Sequence, residues 1–207
     1  GFVRAAKGHE IDPRSLAYKT GDAFHAAARG RSMQLAVFLD STGRAYSLLA
    51  HTLPSARGQG EPLSGRLDPP DGATFAGVLI GDPQERCVLA SSAGYGFIAK
   101  LEDLHSRNRA GKAALNVPEG FVAIGPVPLA GGEQVLLAAL NSEGRLLTFP
   151  AADLPELPRG KGNKIFGIST KKSLVEPESL LAIATVAPGQ TLRLLMGERH
   201  MGLTYRE

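Results

Sequence analysis

Apolar residues along the chain come in short unbroken runs. They follow neither the helical spacing nor strict alternation. Leu35-Ala36-Val37-Phe38-Leu39, Cys87-Val88-Leu89-Ala90 and Val135-Leu136-Leu137-Ala138-Ala139-Leu140 are the clearest examples. Runs of this length, bounded by turn residues, predict strands covered on both faces, since a strand with one wet face would alternate. Each run leads into a polar turn ending in a glycine (Gly43, Gly94 or Gly144) and then into a second apolar strand. A glycine there supplies the positive φ that a tight hairpin with a bulge needs. Helical periodicity is weak; only Leu101 to Asn108 has room for a turn or two.

The hairpins recur. With glycine as the marker the series is Gly1, Gly43, Gly94, Gly144 and Gly197, at steps of 42, 51, 50 and 53 residues, the first and last members being the weakest. Ten residues after each clear marker stands a leucine, Leu53, Leu104 or Leu154. A basic, glycine-containing box follows: Arg57-Gly58-Gln59-Gly60, then Arg107-Asn108-Arg109-Ala110-Gly111-Lys112, then Arg159-Gly160-Lys161-Gly162-Asn163-Lys164. An acidic turn comes next (Pro70-Asp71-Gly72, Pro118-Glu119-Gly120, Pro177-Glu178-Ser179), and apolar strands at 75–80, 121–127 and 180–186 close the units. Four strands in a period of 40–50 residues is the signature of propeller blades. The expected fold is all-β and propeller-like, one domain over residues 1–207 with four to five units, the first and last incomplete.

Composition narrows the setting. With 25 Gly and 14 Pro the chain favours many short elements joined by turns. Cys87 is the only cysteine, so neither an internal disulfide nor a zinc knuckle is available, which fits a reducing cytoplasm. No apolar run approaches a membrane span and no signal-peptide pattern is present, so no membrane association is expected. The chain starts without a Met and stops in mid-pattern, which reads as a piece of a longer polypeptide. The five histidines lack metal-ligand spacing. Gly58-Gln59-Gly60 lacks the Lys-Ser/Thr ending of a phosphate loop. Tyr18, Tyr46, Tyr95 and Tyr205 read as core packing, and Cys87 as a small buried hydrophobe.

The net charge of +3 is small, but its distribution is not even. Residues 1–34 carry six cations against three acids, residues 104–112 three against none, and residues 155–172 five against Glu156 alone. Residues 57–86 reverse the balance, three against five. Boxes at one place in the repeat are brought by the fold to one edge of each blade. A basic rim of this kind suits DNA phosphates along a curved path, where Lys and Arg replace condensed counterions. The box glycines would let backbone N–H groups approach phosphate. No aromatic residue lies inside the boxes, which disfavours stacking on single strands, and no helix is available for the major groove. Backbone contact with bending is the expected mode. The contact residues are expected to be Arg57, Arg107, Arg109, Lys112, Arg159, Lys161 and Lys164, with Lys7 and Arg4 behind them. A propeller with a basic rim facing an acidic protein partner is the reading from another class.

Four stretches carry a resemblance across essentially the whole chain. They are Ala6-Lys7-Gly8-His9-Glu10-Ile11-Asp12, Ser55-Ala56-Arg57-Gly58-Gln59-Gly60-Glu61-Pro62-Leu63, the second box, and the third box through Ile165. In them the sequence resembles the C-terminal domains of type IIA topoisomerase A subunits, topoisomerase IV more than gyrase. The gyrase heptapeptide Gln-Arg-Arg-Gly-Gly-Lys-Gly does not occur; Arg159-Gly160-Lys161-Gly162 and Arg57-Gly58-Gln59-Gly60 are degenerate relatives of it. The resemblance implies a β-pinwheel, a hairpin-swapped propeller often left open as a partial ring. It further implies a non-catalytic domain that binds and bends duplex DNA on its rim, presents a segment to the catalytic core, and tunes preference for supercoil topology. The catalytic tyrosine, magnesium, ATP and the partner ATPase subunit would then belong to other parts of the enzyme, and this chain would hold no cofactor.

Overall fold

The computed structural model describes residues 1–132, 134–168 and 177–205. Three hairpins form where the apolar runs predict them: β2 (Leu35–Asp40) with β3 (Arg44–Leu49), β6 (Arg86–Ala90) with β7 (Tyr95–Lys100), and β10 (Leu136–Asn141) with β11 (Leu146–Pro150). Their marker glycines have φ of 87°, 83° and 75°. A fourth hairpin, β14 (Thr191–Met196) with β15 (Arg199–Thr204), turns at Gly197. Strand β1 (Phe2–Val3) directly follows Gly1, as β3 and β7 directly follow Gly43 and Gly94, and pairs with a strand from further along the chain. The boxes supply two-residue strands, β4 (Glu61–Pro62), β8 (Lys112–Ala113) and β12 (Asn163–Lys164), and the closing strands are β5 (Phe75–Ile80), β9 (Val127–Leu129) and β13 (Leu180–Val186). The one α-helical turn among the described residues, α1 (Leu101–Leu104), lies inside the stretch expected to hold it.

The sheets run β5-β2-β3-β8, β9-β6-β7-β12 and β13-β10-β11, beside the pairs β1-β4 and β14-β15. Every short outer strand comes from the repeat after the one it completes. β4 pairs with β1, β8 with β3, and β12 with β7. The sequence repeat and the structural blade are therefore offset: four strands make a blade, but the fourth is lent by the next unit. Among the described residues no strand pairing joins the β14-β15 end to the β1-β4 end.

Burial on both faces follows the unbroken apolar runs. Val37 and Leu39 of β2 pack with Cys87, Leu89 and Phe97 of the second blade, while Ala36 and Phe38 belong to a cluster with Tyr46, Leu63 and Leu67. Val88 and Ala90 turn the other way, onto Leu137, Ala139, Leu180 and Ile183 of the third blade. The alternation inherent in a strand thus feeds two interfaces, and each interface is apolar. One closing strand is shorter than expected. Instead of 121–127, regular pairing starts only at Val127, because Gly125-Pro126 interrupts the run and a proline has no N–H for a ladder. Ala123 keeps a lone bridge to Ser91.

The turn residues are bound by a repeated polar clasp. Ser41, Ser92 and Ser142 donate their backbone N–H to Thr74, Val122 and Ser179 carbonyls and accept N–H from the same three residues on their hydroxyls. Asp40 is fully buried. It accepts from the N–H groups of Thr42 and Arg44 on one oxygen and from Tyr46 Oη at 2.6 Å on the other. Burial, then the Asp40 bond, pushes the Tyr46 phenol well above its ordinary value, with Arg44 opposing. In the third hairpin Asn141 takes the place of Asp40. Its side chain donates to Glu178, which also accepts from Arg145, so the acid of the third acidic turn points inward, unlike exposed Asp71 and Glu119. In the second hairpin the place is held by Ser91, whose buried hydroxyl has no partner among the described residues.

Cys87 is buried as the sequence implies, and burial pushes its thiol up to about 12, the Asp103 charge adding to the shift and a backbone bond from Ala99 opposing it. From the ordinary thiol value up to about 12 the unfolded chain ionises and the native chain does not, so stability falls as pH rises through that window. At mild alkaline pH a thiol reagent is expected to leave Cys87 unlabelled until denaturant unfolds the chain. Labelling at the same rate with and without denaturant would contradict this burial.

Candidate nucleic-acid interface

Each box is bound at both ends to the hairpin arm of the preceding repeat. The box glycines Gly60, Gly111 and Gly162 have φ of 82°, 64° and 78°. A Cβ on Gly60 would lie 2.6 Å from the Val3 carbonyl oxygen, and one on Gly111 2.7 Å from that of Ala45. On Gly162 it would overlap the Gly96 carbonyl. Val3, Ala45 and Gly96 all stand two residues after their hairpin glycines. In return the hairpin glycine carbonyls accept from the strand that follows: Gly1 from Leu63, Gly43 from Ala114 and Leu115, Gly94 from Ile165 and Phe166. These box glycines therefore serve close backbone docking of the lent strand. The space a side chain would need at Gly60, Gly111 and Gly162 is filled by a neighbouring carbonyl, and the N–H of Gly111 is bonded to the Asn108 carbonyl and so is taken from any phosphate.

The boxes are also joined to one another. Past the first box, Asp68 N–H donates to the Arg109 carbonyl in the second; past the second, Asn116 N–H donates to the Gly160 carbonyl in the third. Gly160 N–H returns a bond to Ala114. Arg109 and Gly160 stand at the same place, two residues before the docking glycine. The three boxes are thus one hydrogen-bonded band along the outer edges of successive blades.

The expected contact residues differ in how free they are. Arg57, Arg107, Arg159, Lys164 and Lys7 are exposed and, among the described residues, have no side-chain hydrogen bond or ion pair; Lys112 is half-buried and likewise unpaired. Arg109 meets Asp68 at 3.3 Å and the Gly65 carbonyl, an exposed pair of the kind worth about 0–1 kcal/mol. Lys161 places Nζ 3.8 Å from the centroid of the Tyr95 ring. Arg4 is committed elsewhere. Its guanidinium donates to the Gly58 and Ala17 carbonyls and stacks on Tyr18, so it shapes the first box from behind. Lys7 follows Ala5, which bridges Ser55 at the entrance to that box. Lys171 and Lys172, counted in the basic stretch 155–172, lie outside the described residues.

Glu61 follows the first box in β4, and that box carries Arg57 as its one cation, so the positive charge concentrates in the second and third boxes, as the uneven charge along the sequence implies. Two features of the band escaped the sequence. Arg44 donates to the Ala110 and Gly111 carbonyls and so anchors the second box. Tyr95, expected in the core, is half-buried beside the third box, pairing across to Lys164. The absence of aromatics inside the boxes thus does not leave the band without one. His105 precedes the second box, and its pKa is lowered by burial first and by Lys112 second, against Glu102, so it adds no charge to the band at neutral pH.

Among the described residues no helix is long and apolar enough to cross a membrane, and no group of three His, Cys, Asp or Glu side chains could hold a metal ion. The family described as "DNA gyrase C-terminal domain, beta-propeller" matches residues 85–124 and 137–187, which span the second and third hairpins and boxes. The chain is 56% identical over 203 residues to the A subunit of DNA topoisomerase 4 from Pseudomonas aeruginosa, covering 98% of this chain. It is 45% identical over its whole length to the Escherichia coli K12 protein of that name. This chain belongs to the family of topoisomerase IV A subunits. Like the solved E. coli ParC C-terminal domain, it corresponds to the C-terminal domain of that family, with a TM-score of 0.82, 45% identity, and coverage of 99% of this chain and 82% of that one. A second solved structure, a C-terminal domain of DNA topoisomerase IV at 12% identity, shares the fold with a TM-score of 0.71 over 92% of this chain and 59% of that one. The chain spans about a quarter of the length of the topoisomerase IV A subunits it matches, 27% in both cases.

Proposed function

We propose that this chain binds duplex DNA along the basic band and bends it, presenting a segment to the catalytic core of a topoisomerase IV enzyme. In that reading the chain is a single non-catalytic domain that tunes which supercoils are handled. Strand cleavage, magnesium, ATP and the ATPase subunit belong to the rest of a cytoplasmic enzyme. One observation carries it: three boxes bonded in series along the edges of successive blades, with Arg57, Arg107, Lys112, Arg159 and Lys164 unpaired among the described residues. Such a band meets phosphates at several points along one path. Bending follows if the DNA keeps to a curved edge, and the cations replace counterions that would otherwise resist close approach. Backbone contacts of this type carry little sequence information.

Gel shift of a duplex across a salt series tests it. The expected result is binding that weakens steeply and log-linearly with salt and is indifferent to sequence. A complete lack of duplex binding at low salt would overturn the assignment and leave a protein-interaction propeller in its place.

A further inference from the structure

The band holds an aromatic ring that its role as a row of cations does not use. Tyr95 is the first residue of β7, directly after the hairpin glycine Gly94. Phe97, two residues on, is fully buried in the cluster between the first two blades, whereas Tyr95 is only half-buried and joins none of the three core clusters. Its surroundings are those of the third box: Lys164 is its partner across the β7-β12 pair, and Lys161 covers the ring. The same place after Gly1 is taken by Phe2, which is 52% exposed and covered by Lys19 Nζ at 4.8 Å from the ring centroid. After Gly43 it is taken by Arg44, whose guanidinium is spent on the second box. Two of the three strands that receive a box thus carry, directly after the marker glycine, a ring under a lysine.

We propose that Tyr95 is an uncharged contact for duplex DNA, its ring face packing on the backbone deoxyribose edge once Lys161 swings from the ring to a phosphate. The proposal rests on the band being the DNA surface. A lysine over a ring at the protein surface is modestly held, and a phosphate is the stronger partner for an ammonium group. Leaving the ring, Lys161 would expose a flat apolar face at the place where its own phosphate brings the sugar. Bases in a duplex stay stacked on one another, so the sugar edge is the apolar surface within reach. Such a contact adds affinity without releasing counterions, which separates it from every cation in the band.

Fluorescence anisotropy of a labelled duplex over a salt series reads the two quantities apart. Tyr95→Thr, a residue suited to a strand, is expected to bind about three- to tenfold more weakly at every salt concentration, with the slope of log affinity on log salt unchanged. Tyr95→Phe should bind like the unaltered chain, and Lys161→Ala should lower the slope by about one. Melting curves check that each variant is folded; Tyr95→Phe carries the test if Tyr95→Thr is not, since a loss of binding in a folded Tyr95→Phe would assign the contact to the hydroxyl and overturn the proposal. Unaltered affinity in Tyr95→Thr, or a lowered slope, would overturn it too, the latter by making the ring a mere support for Lys161. Failure of the unaltered chain to bind duplex at all would remove the band reading and this contact together, a result distinct from either.

Discussion

Gly162→Ala is expected to release the third box from β7 and to destabilise the chain by about 2–4 kcal/mol, since a Cβ there overlaps the Gly96 carbonyl and sits at a φ of 78°. A flexible side chain could yield to the intruding methyl, but here the obstacle is backbone in the middle of a blade. The strand can relieve the overlap only by giving up its two-residue pairing and the bonds from Ile165 and Phe166 to the Gly94 carbonyl. Gly144→Ala is the matched control. Its φ of 75° carries a similar conformational cost, about 1 kcal/mol, yet nothing lies within 4 Å of the added atom. The difference between the two melting temperatures therefore reads the docking contact alone. Equal melting temperatures would mean that the lent strand contributes nothing to holding the second blade.

The combined change Arg159→Ala/Lys161→Ala/Lys164→Ala should have the largest effect on DNA. Each neutralised phosphate contributes roughly 0.9 to the salt slope, so the slope should fall by about 2–3 units, with most low-salt affinity lost. None of the three side chains packs in a core cluster, and the backbone bonds that dock the box do not depend on them. The melting temperature should therefore hardly move. A slope unchanged in the triple variant, with binding intact, would place the DNA path away from the third box. Arg57→Ala in the first box should do less, because that box carries a single cation.

Much of this fold is written in the sequence at the level of the hairpin. Gly43, Gly94 and Gly144 mark the turns because only a residue without Cβ settles at their φ, and the unbroken runs before them announce strands sandwiched between blades. Repetition of the boxes shows that they share one edge. What a linear pattern does not contain is partnership. Gly111 reads as a turn or phosphate glycine until Ala45, 66 residues earlier, is placed against it. Tyr95 reads as core because the residues around it are core, and Arg4 reads as a free cation because its carbonyl partners Ala17 and Gly58 come from distant chain. One signal was available in the chain itself: Ser41, Ser92 and Ser142, each two residues before its glycine, recur as strictly as the glycines and form the clasp to the acidic-turn loops.

The lending of strands also governs how such a chain can change its number of repeats. Removing one full period, from a point in one hairpin to the same point in the next, takes away a hairpin, the box lent backward and a closing strand together. The hairpin before the excision then receives the box after it, and no edge is left bare. With β6 through β9 excised, for instance, β3 would be completed by β12, and Ala45 would meet Gly162 in place of Gly111. Because the cations travel with the lent strand and not with the blade that displays them, each gain or loss of a period would redraw the charge of the rim.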